Sequence, residues 1–110
     1  MTDKLLVVIV SDDVKASVGV RMASRMVERG ALSDVRVLFF GPSERLLADP
    51  PADLVEPLET VRRKAAPLAC RAVADQLGVV QRLEEAGAEL VPAGQEIEGR
   101  ILDGYEIMTF

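Results

Sequence analysis

Five short apolar runs divide the chain, and the first of them is a continuous aliphatic stretch without alternation. Such a run is typical of a strand that is buried on both faces of a parallel sheet. Glycine or proline follows or ends several of the other runs, as expected where strands give way to turns. The predicted strands cover residues 5–10, 35–40, 67–70, 89–93 and 105–110.

Between the predicted strands, apolar residues recur at helical spacing. The clearest helix begins after a possible cap at Asp13, carries apolar residues at every fourth position from Val14 through Val18 to Met26, and stops at Gly30. Its other side carries a row of arginines, Arg21, Arg25 and Arg29, which is either an anion site or a solvated face. Further helical segments cover residues 43–48, 54–64, 72–77, 79–86 and 95–103.

Strands that alternate with helices predict an α/β fold. We expect a three-layer α/β/α sandwich with a mostly parallel five-stranded sheet, wound in right-handed units, in a single domain spanning residues 1–110. Hydrophobic residues make up 49% of the chain and aromatic residues only 4%, so the expected core is aliphatic. An aliphatic core suits a parallel sheet covered by helices.

Charge and composition also limit the possible partners. The net charge of −5 disfavours nucleic acid and anionic membrane surfaces, because both carry negative charge. The longest apolar stretch, residues 5–10, is far shorter than the roughly 20 residues that a membrane-spanning helix needs. No signal peptide is recognisable and one cysteine cannot form an internal disulfide, so we expect a cytoplasmic protein with no membrane partner.

A site is expected at the carboxyl ends of the strands, since ligands of open α/β sheets bind where these ends meet loops and helix N-termini. Cys70, at the end of the third predicted strand, is the candidate catalytic residue. The candidate substrate-binding residues in the neighbouring turns are Ser11, Asp12, Gly41, Ser43, Arg71 and Gly94.

Cys70 is the only cysteine, and the chain has no histidine, so neither a Ser-His nor a Cys-His pair can form. The positive end of the following helix and the neighbouring guanidinium of Arg71 are expected to stabilise a Cys70 thiolate. The alternative is that Cys70 is a small buried hydrophobic residue without chemistry of its own.

Other chemistries have less support in the sequence. Asp12, Asp13 and Asp103 have no recognised metal-ligand spacing, and zinc is improbable without histidine or a second cysteine. Asp12 and Asp13 fit helix caps better than a catalytic base. The glycine-bearing turns do not match a phosphate-cradling loop. We therefore expect neither a metal nor a cofactor.

Four motifs occur in a characteristic order along nearly the whole chain. They are Phe-Phe-Gly-Pro at 39–42, Ala-Cys at 69–70, Gly-Ala-Glu-Leu-Val-Pro-Ala-Gly at 87–94 and Gly-Tyr-Glu-Ile-Met-Thr-Phe at 104–110. Together they resemble the DsrE/DsrF-like family of small sulfur-relay proteins. The resemblance implies a five-stranded α/β/α domain that assembles as a homotrimer or hexamer, or with related subunits.

The resemblance also implies a role for the cysteine after the third strand, which is Cys70 here. In the sulfur-carrying members, this cysteine accepts sulfur as a persulfide from a donor protein and passes it to an acceptor protein. The leading hypothesis is therefore a sulfur carrier or sulfurtransferase-like protein. The alternative hypothesis is a non-catalytic subunit that binds a small ligand in the same crevice or serves assembly.

Overall fold

All five predicted strands are present, within two residues of their expected bounds. They are β1 (Lys4–Ile9), β2 (Asp34–Phe39), β3 (Leu68–Cys70), β4 (Glu89–Val91) and β5 (Glu106–Thr109). In the computed structural model, which describes residues 2–110, they form one sheet in the order β4-β3-β2-β1-β5. Every neighbouring pair is parallel. The predicted α/β class and three-layer architecture are confirmed.

The helices form two unequal layers, and each layer packs on one face of the sheet through its own hydrophobic cluster. The helices are α1 (Val14–Arg29), α2 (Glu44–Ala48), α3 (Ala52–Lys64), α4 (Arg71–Leu77), α5 (Val80–Glu85) and α6 (Ala93–Leu102). One cluster joins Val7 and Ile9 of β1 to buried side chains of α1 to α5. The other joins Leu6 and Val8 to Ala93 of α6. None of the helices in residues 2–110 is long and apolar enough to cross a membrane.

Helix α1 packs on the sheet mainly through small side chains. Of the larger apolar residues in its four-residue row, Met22 and Met26 are partly buried against the core, whereas Val14 and Val18 face solvent. Val14 is 74% exposed and Val18 is 52% exposed. The cause is a close approach at Gly19, where a Cβ atom would lie 2.5 Å from Ile9 Cδ1 and 2.8 Å from the Phe110 ring. The residues of α1 that are buried are Ala16, Gly19, Val20, Ala23 and Ser24.

A network of paired polar groups closes the amino ends of the strands. The Tyr105 hydroxyl donates to the Asp34 carboxylate, and Arg36 Nε lies 3.0 Å from Asp34 Oδ2. Arg100 donates to the Tyr105 hydroxyl at 3.0 Å and to Glu96 at 2.9 Å. Burial acts to raise the pKa of Asp34, but the hydrogen bonds from Tyr105 and Arg36 hold that pKa below its ordinary value. The ionised carboxylate is therefore stabilised at this end of the sheet.

The chain reverses its direction across the sheet once, after β4. Each connection from β1 to β4 adds a strand to the same edge, and α6 then carries the chain back across the other face to place β5 beside β1. Helices α4 and α6 therefore leave the neighbouring strands β3 and β4 toward opposite faces. This arrangement opens a crevice at the carboxyl ends, of the kind that holds ligands in open α/β sheets.

Candidate functional site

A cleft of about 820 Å³ lies at this crevice, between the ends of β3 and β4. Its walls are mainly apolar, and charged or amide side chains stand at its rim. The apolar lining consists of Phe40, Val73, Leu90, Val91, Pro92 and Ala93. The polar lining consists of Arg71, Asp75, Gln95 and Glu98. A mainly apolar depression with a few polar groups is typical of a small-molecule site.

Cys70 lines this cleft at the point where β3 becomes α4. It is the last residue of the strand and the residue that precedes the helix, with φ −71° and ψ 121°. Its neighbour across the sheet is Val91, and both side chains belong to the cluster on the α6 side. Cys70 is a free cysteine with 6% of its surface exposed. Cys70 therefore borders the cleft, while most of the residue is packed in the core.

The start of α6 forms the opposite side of the cleft. Pro92 precedes the helix without a side-chain cap, so the first amides of α6 have no helical partner. Gly94 contributes no side chain, and a Cβ atom there would meet nothing within 4 Å. On the near side, Arg71 Nε lies 3.9 Å from Asp75 Oδ2, and both side chains are more than half exposed. Such an exposed pair holds the guanidinium only weakly, so Arg71 is available to a ligand.

The turn between β2 and α2 lies next to the end of β3. Gly41 has φ +127°, a conformation that strains any other residue, and a Cβ atom there would lie 3.1 Å from the Val10 carbonyl oxygen. Ser43 is fully buried, and its hydroxyl donates to the Ile9 carbonyl. Ser43 precedes α2 and has the residue type of a helix cap, but its side chain makes no capping bond because its hydroxyl joins this turn to β1 instead.

Glu44, the first residue of α2, is buried in this turn, and no cation of residues 2–110 pairs with it. The Gly41 backbone N–H donates to its Oε2 at 3.4 Å, while Oε1 has no hydrogen-bond partner among residues 2–110. Burial raises the pKa of Glu44 to about 7, against the lowering effect of the Gly41 and Cys70 backbone N–H groups. Sequence reasoning missed this residue. A signal was available, since a Glu three residues after Gly41 has the spacing of a capping box.

The remaining candidates, Ser11 and Asp12, lie outside the cleft. Ser11 donates to Asp13 at 2.9 Å, and Asp13 caps α1 by accepting from the Lys15 N–H at 3.0 Å. The Ser11 hydroxyl and the Lys15 amide lower the pKa of Asp13, which opposes a role as a general base near neutrality. Asp12 lines a separate depression of about 340 Å³ with Arg45. The structure thus groups Cys70, Arg71 and Gly94, places Gly41 and Ser43 in the adjoining turn, and separates Ser11 and Asp12 from them.

The arginine row of α1 borders a groove against α3. Arg21 NH2 lies 2.5 Å from Asp53 Oδ2, and the groove of about 370 Å³ also contains the acids Glu28 and Glu56. Three acids, Glu28, Asp53 and Glu56, line the groove against two arginines, so it has no preference for an anion. Within residues 2–110, no cluster of three or more acidic, histidine or cysteine side chains is placed to hold a metal ion.

Comparison with known proteins supports the fold and does not identify a reaction. No protein-family model matches this sequence. No curated protein matches it either. Among solved structures, the chain is similar to a conserved protein of unknown function, BT1422, from Bacteroides thetaiotaomicron. The match has a TM-score of 0.83 and 20% sequence identity, and it covers 98% of this chain and 95% of the other. At this identity, the similarity shows a shared fold.

Proposed function

We propose that this protein carries sulfur on Cys70 as a persulfide, accepting it from a donor protein and delivering it to an acceptor protein. The observation that carries the proposal is the position of the chain's only thiol, which borders an apolar cleft at the switch point of the sheet. Apolar walls suit a sulfane sulfur, which is a poor hydrogen-bonding group. The resemblance to DsrE/DsrF-like proteins is consistent with this chemistry at Cys70.

The transfer needs no external oxidant or reductant. The Cys70 thiolate attacks the terminal sulfur of a donor persulfide, R–S–SH, so a new sulfur–sulfur bond forms on Cys70. The donor's own sulfur–sulfur bond breaks, and R–S⁻ leaves with the electron pair and takes up a proton from water. Delivery to an acceptor thiolate repeats the exchange and regenerates the Cys70 thiolate. The first amides of α6 and the Arg71 guanidinium stabilise the negative charge on sulfur during both steps.

Sulfur loading is measured directly by intact mass. The reduced protein is incubated with a small organic persulfide, and we expect a gain of about 32 Da that a thiol reductant removes. Cys70→Ser is the matched control, since it keeps the size of the side chain and removes the nucleophile. The absence of the adduct on the wild-type protein, or an equal adduct on Cys70→Ser, would refute the proposal.

A second candidate function is a non-catalytic subunit that binds a small ligand in the same cleft. The low exposure of Cys70, 6%, and the apolar lining favour it. In this case Cys70→Ser leaves ligand or partner binding intact, and alkylation of the folded protein is as slow as that of a buried thiol.

Self-association belongs to the same proposal. Val14 and Val18 on α1 and Met108 on the edge strand β5 are exposed apolar side chains, and burying them between subunits is favourable by roughly 25 cal/mol per Å². We expect a cytoplasmic homotrimer or hexamer. Light scattering at micromolar concentration tests the assembly, with Val18→Glu expected to lower the mass; a monomeric wild-type protein would contradict it.

A further inference from the structure

Strand β5 is an edge of the sheet, and its outer side is open to solvent. Within residues 2–110, its one neighbour in the sheet is β1. Glu106, Met108 and Thr109 are exposed, whereas every residue of β1 after Lys4 is buried. Soluble proteins usually protect an edge strand by proline, by lysine or by making it very short. The other edge, β4, has three residues and ends at Pro92, but β5 contains neither proline nor lysine.

The hydrogen bonds of Phe110 identify the backbone groups of β5 that face the open side. The Phe110 N–H donates to the Val8 carbonyl at 2.8 Å, and the Phe110 carbonyl accepts from the Val10 N–H at 2.7 Å. Successive residues of a strand direct these groups to opposite sides. Because those of Phe110 face β1, those of Ile107 and Thr109 face outward. The edge therefore presents two N–H donors and two carbonyl acceptors to a further strand.

We propose that two copies of this chain pair through β5, antiparallel to each other, across a two-fold axis at Met108, an inference that rests on the proposed self-association. In this register Ile107 of one copy lies opposite Thr109 of the other, and the two residues exchange both backbone hydrogen bonds. The axis repeats the exchange, so all four outward groups of each strand have partners. A register centred on Ile107 would instead require the Tyr105 N–H, which already donates to the Arg100 carbonyl at 2.9 Å.

The side chain at the axis fits this contact. Met108 is the sheet neighbour of Val7, whose side chain belongs to the hydrophobic cluster on the α1 side of the sheet. Met108 is 40% exposed on that side. In antiparallel pairs, opposed residues that exchange no hydrogen bonds have Cα atoms about 4.5 Å apart, so the two Met108 side chains are in contact. A flexible thioether adapts readily to such an apolar contact.

Charge complementarity favours a second copy of this chain as the occupant of the edge. In the same register, Glu106 of one copy lies opposite Phe110 of the other. The Phe110 ring lies against Gly19 of α1, and Lys15 is one helical turn before Gly19 on the same side of the helix. Glu106 and Lys15 are both exposed, and neither has an ion-pair partner among residues 2–110. The axis brings these opposite charges toward each other twice.

The symmetry of this contact limits the possible assemblies. A two-fold contact uses the same surface on both copies and is closed. It forms a dimer by itself, or it joins two trimers into a hexamer. A trimer alone has no two-fold axis, so the β5 contact predicts an even number of subunits.

A disulfide at the axis tests the register directly. Met108→Cys is combined with Cys70→Ser, which removes the native thiol, and the full-length protein is treated with oxidised glutathione. We expect a covalent dimer on non-reducing electrophoresis, because the opposed Cα atoms lie within the roughly 4.4–6.8 Å that a disulfide spans. Leu102→Cys with Cys70→Ser is the control, since Leu102 is 88% exposed on α6. No dimer from Met108→Cys, or an equal yield from Leu102→Cys, would overturn the inference.

A proline substitution tests the outward hydrogen bonds. Thr109→Pro removes an outward N–H from each copy and leaves the bonds to β1 in place, as is typical of proline in edge strands. Light scattering over a range of concentrations should show half-dissociation at a concentration at least about tenfold higher than for the wild type, because the dimer loses two hydrogen bonds. Thr109→Val keeps the N–H and should match the wild type. A monomeric wild type, or equal association of Thr109→Pro and Thr109→Val, contradicts the proposal.

A charge exchange distinguishes a second copy from a strand of another protein. Glu106→Lys should weaken the association several-fold, because it places like charges together, and adding Lys15→Glu should restore it. A double variant that associates no better than Glu106→Lys would rule out this pairing of copies.

Sulfur loading is a separate measurement. A β5 dimer without a sulfur adduct on Cys70 refutes the carrier function alone, whereas an adduct on a protein that lacks the β5 contact refutes this inference alone.

Discussion

The two ends of the sheet hold an acidic side chain in opposite ways. At the amino ends of the strands, Asp34 accepts hydrogen bonds from Tyr105 and Arg36, and its pKa lies below the ordinary value. At the carboxyl ends, the partners of Glu44 within residues 2–110 are backbone N–H groups, and burial raises its pKa to about 7. The two acids lie in the same small domain, so the difference comes from their partners and from the deeper burial of Glu44.

The contrast separates an end of the sheet where an acid is well paired from an end where an acid is not. Buried polar groups in proteins nearly always have partners, and a group without one is often part of a functional site. Asp34 belongs to a satisfied network. One oxygen of Glu44 has no hydrogen-bond partner among residues 2–110, and Glu44 follows the turn at the carboxyl end of β2, the strand next to β3. The same end carries the switch point of the sheet, where α/β proteins bind ligands.

The largest expected effect is the pH dependence that Glu44 gives to stability. The folded protein keeps a proton on Glu44 up to a pKa of about 7, whereas the unfolded chain releases it near 4.5. Stability from this group is therefore complete below pH 4.5 and falls as the pH rises to about 7, by about 3 kcal/mol. Glu44→Gln should remove this loss.

Urea unfolding at pH 4.5 and pH 8 measures this pH-dependent loss of stability. Relative to the wild type, Glu44→Gln should gain about 3 kcal/mol between the two pH values, and the exposed control Glu98→Gln should gain almost nothing. If the difference in unfolding free energy between Glu44→Gln and the wild type were the same at both pH values, the contrast between the two ends of the sheet would be contradicted.

The next largest effect comes from Asp34, whose contribution to stability depends on pH in the opposite sense to that of Glu44. Asp34→Ala leaves the Tyr105 hydroxyl and Arg36 without their acceptor, and we expect a loss of about 2 kcal/mol at pH 7. Because the pKa of Asp34 is lowered, its contribution is present above the ordinary value of 3.8 and is lost as the pH falls through the folded-state value. The cost of Asp34→Ala should therefore shrink in strong acid.

Asp103 provides the control for this prediction in the same unfolding measurement. Asp103 Oδ2 lies 3.7 Å from Lys4 Nζ in an exposed pair, so Asp103→Ala should cost less than about 1 kcal/mol at all pH values. An equal cost for the two substitutions would show that the Asp34 network contributes no more than a surface ion pair.

A pair of helical glycines gives a smaller effect that compares packing at the two ends. Gly19→Ala places a Cβ atom 2.5 Å from Ile9 Cδ1 and should cost about 1–3 kcal/mol. Gly99→Ala on α6 meets nothing within 4 Å and should stabilise by about 0.5–1 kcal/mol through helix propensity. Thermal unfolding of both variants checks the signs. If Gly19→Ala were stabilising, the side chains of Ile9 and Phe110 would have to move aside at little cost at the carboxyl end of the sheet.

The order of strands and helices could be predicted from the sequence because it depends on local patterns. The aliphatic run at residues 5–10 and the glycine stop at Gly30 each identify an element boundary without knowledge of its neighbours. The placement of Cys70 at a strand-to-helix turn followed from the same reasoning. These predictions rest on short-range periodicity, which the sheet preserves.

The remaining features depend on contacts between segments that are distant in the chain. The buried face of α1 is decided by how closely Gly19 approaches Phe110, and the apolar period of α1 alone indicates a different face. Ser43 has the residue type of a helix cap, yet its hydroxyl bonds to Ile9 on another strand. Glu44 has the residue type of a solvated helix start, yet packing between elements buries it completely.

The rate of sulfur capture by Cys70, measured in the folded and in the urea-unfolded protein at pH 6.5, tests the central claim most directly. Intact mass follows the gain of sulfur from a small organic persulfide over time. If the cleft activates the thiol, the folded protein should load at least about tenfold faster than the unfolded chain, in which the sulfur has an ordinary thiol environment. A folded protein that loads more slowly than the unfolded chain would show that Cys70 is a packed core residue and would contradict the account.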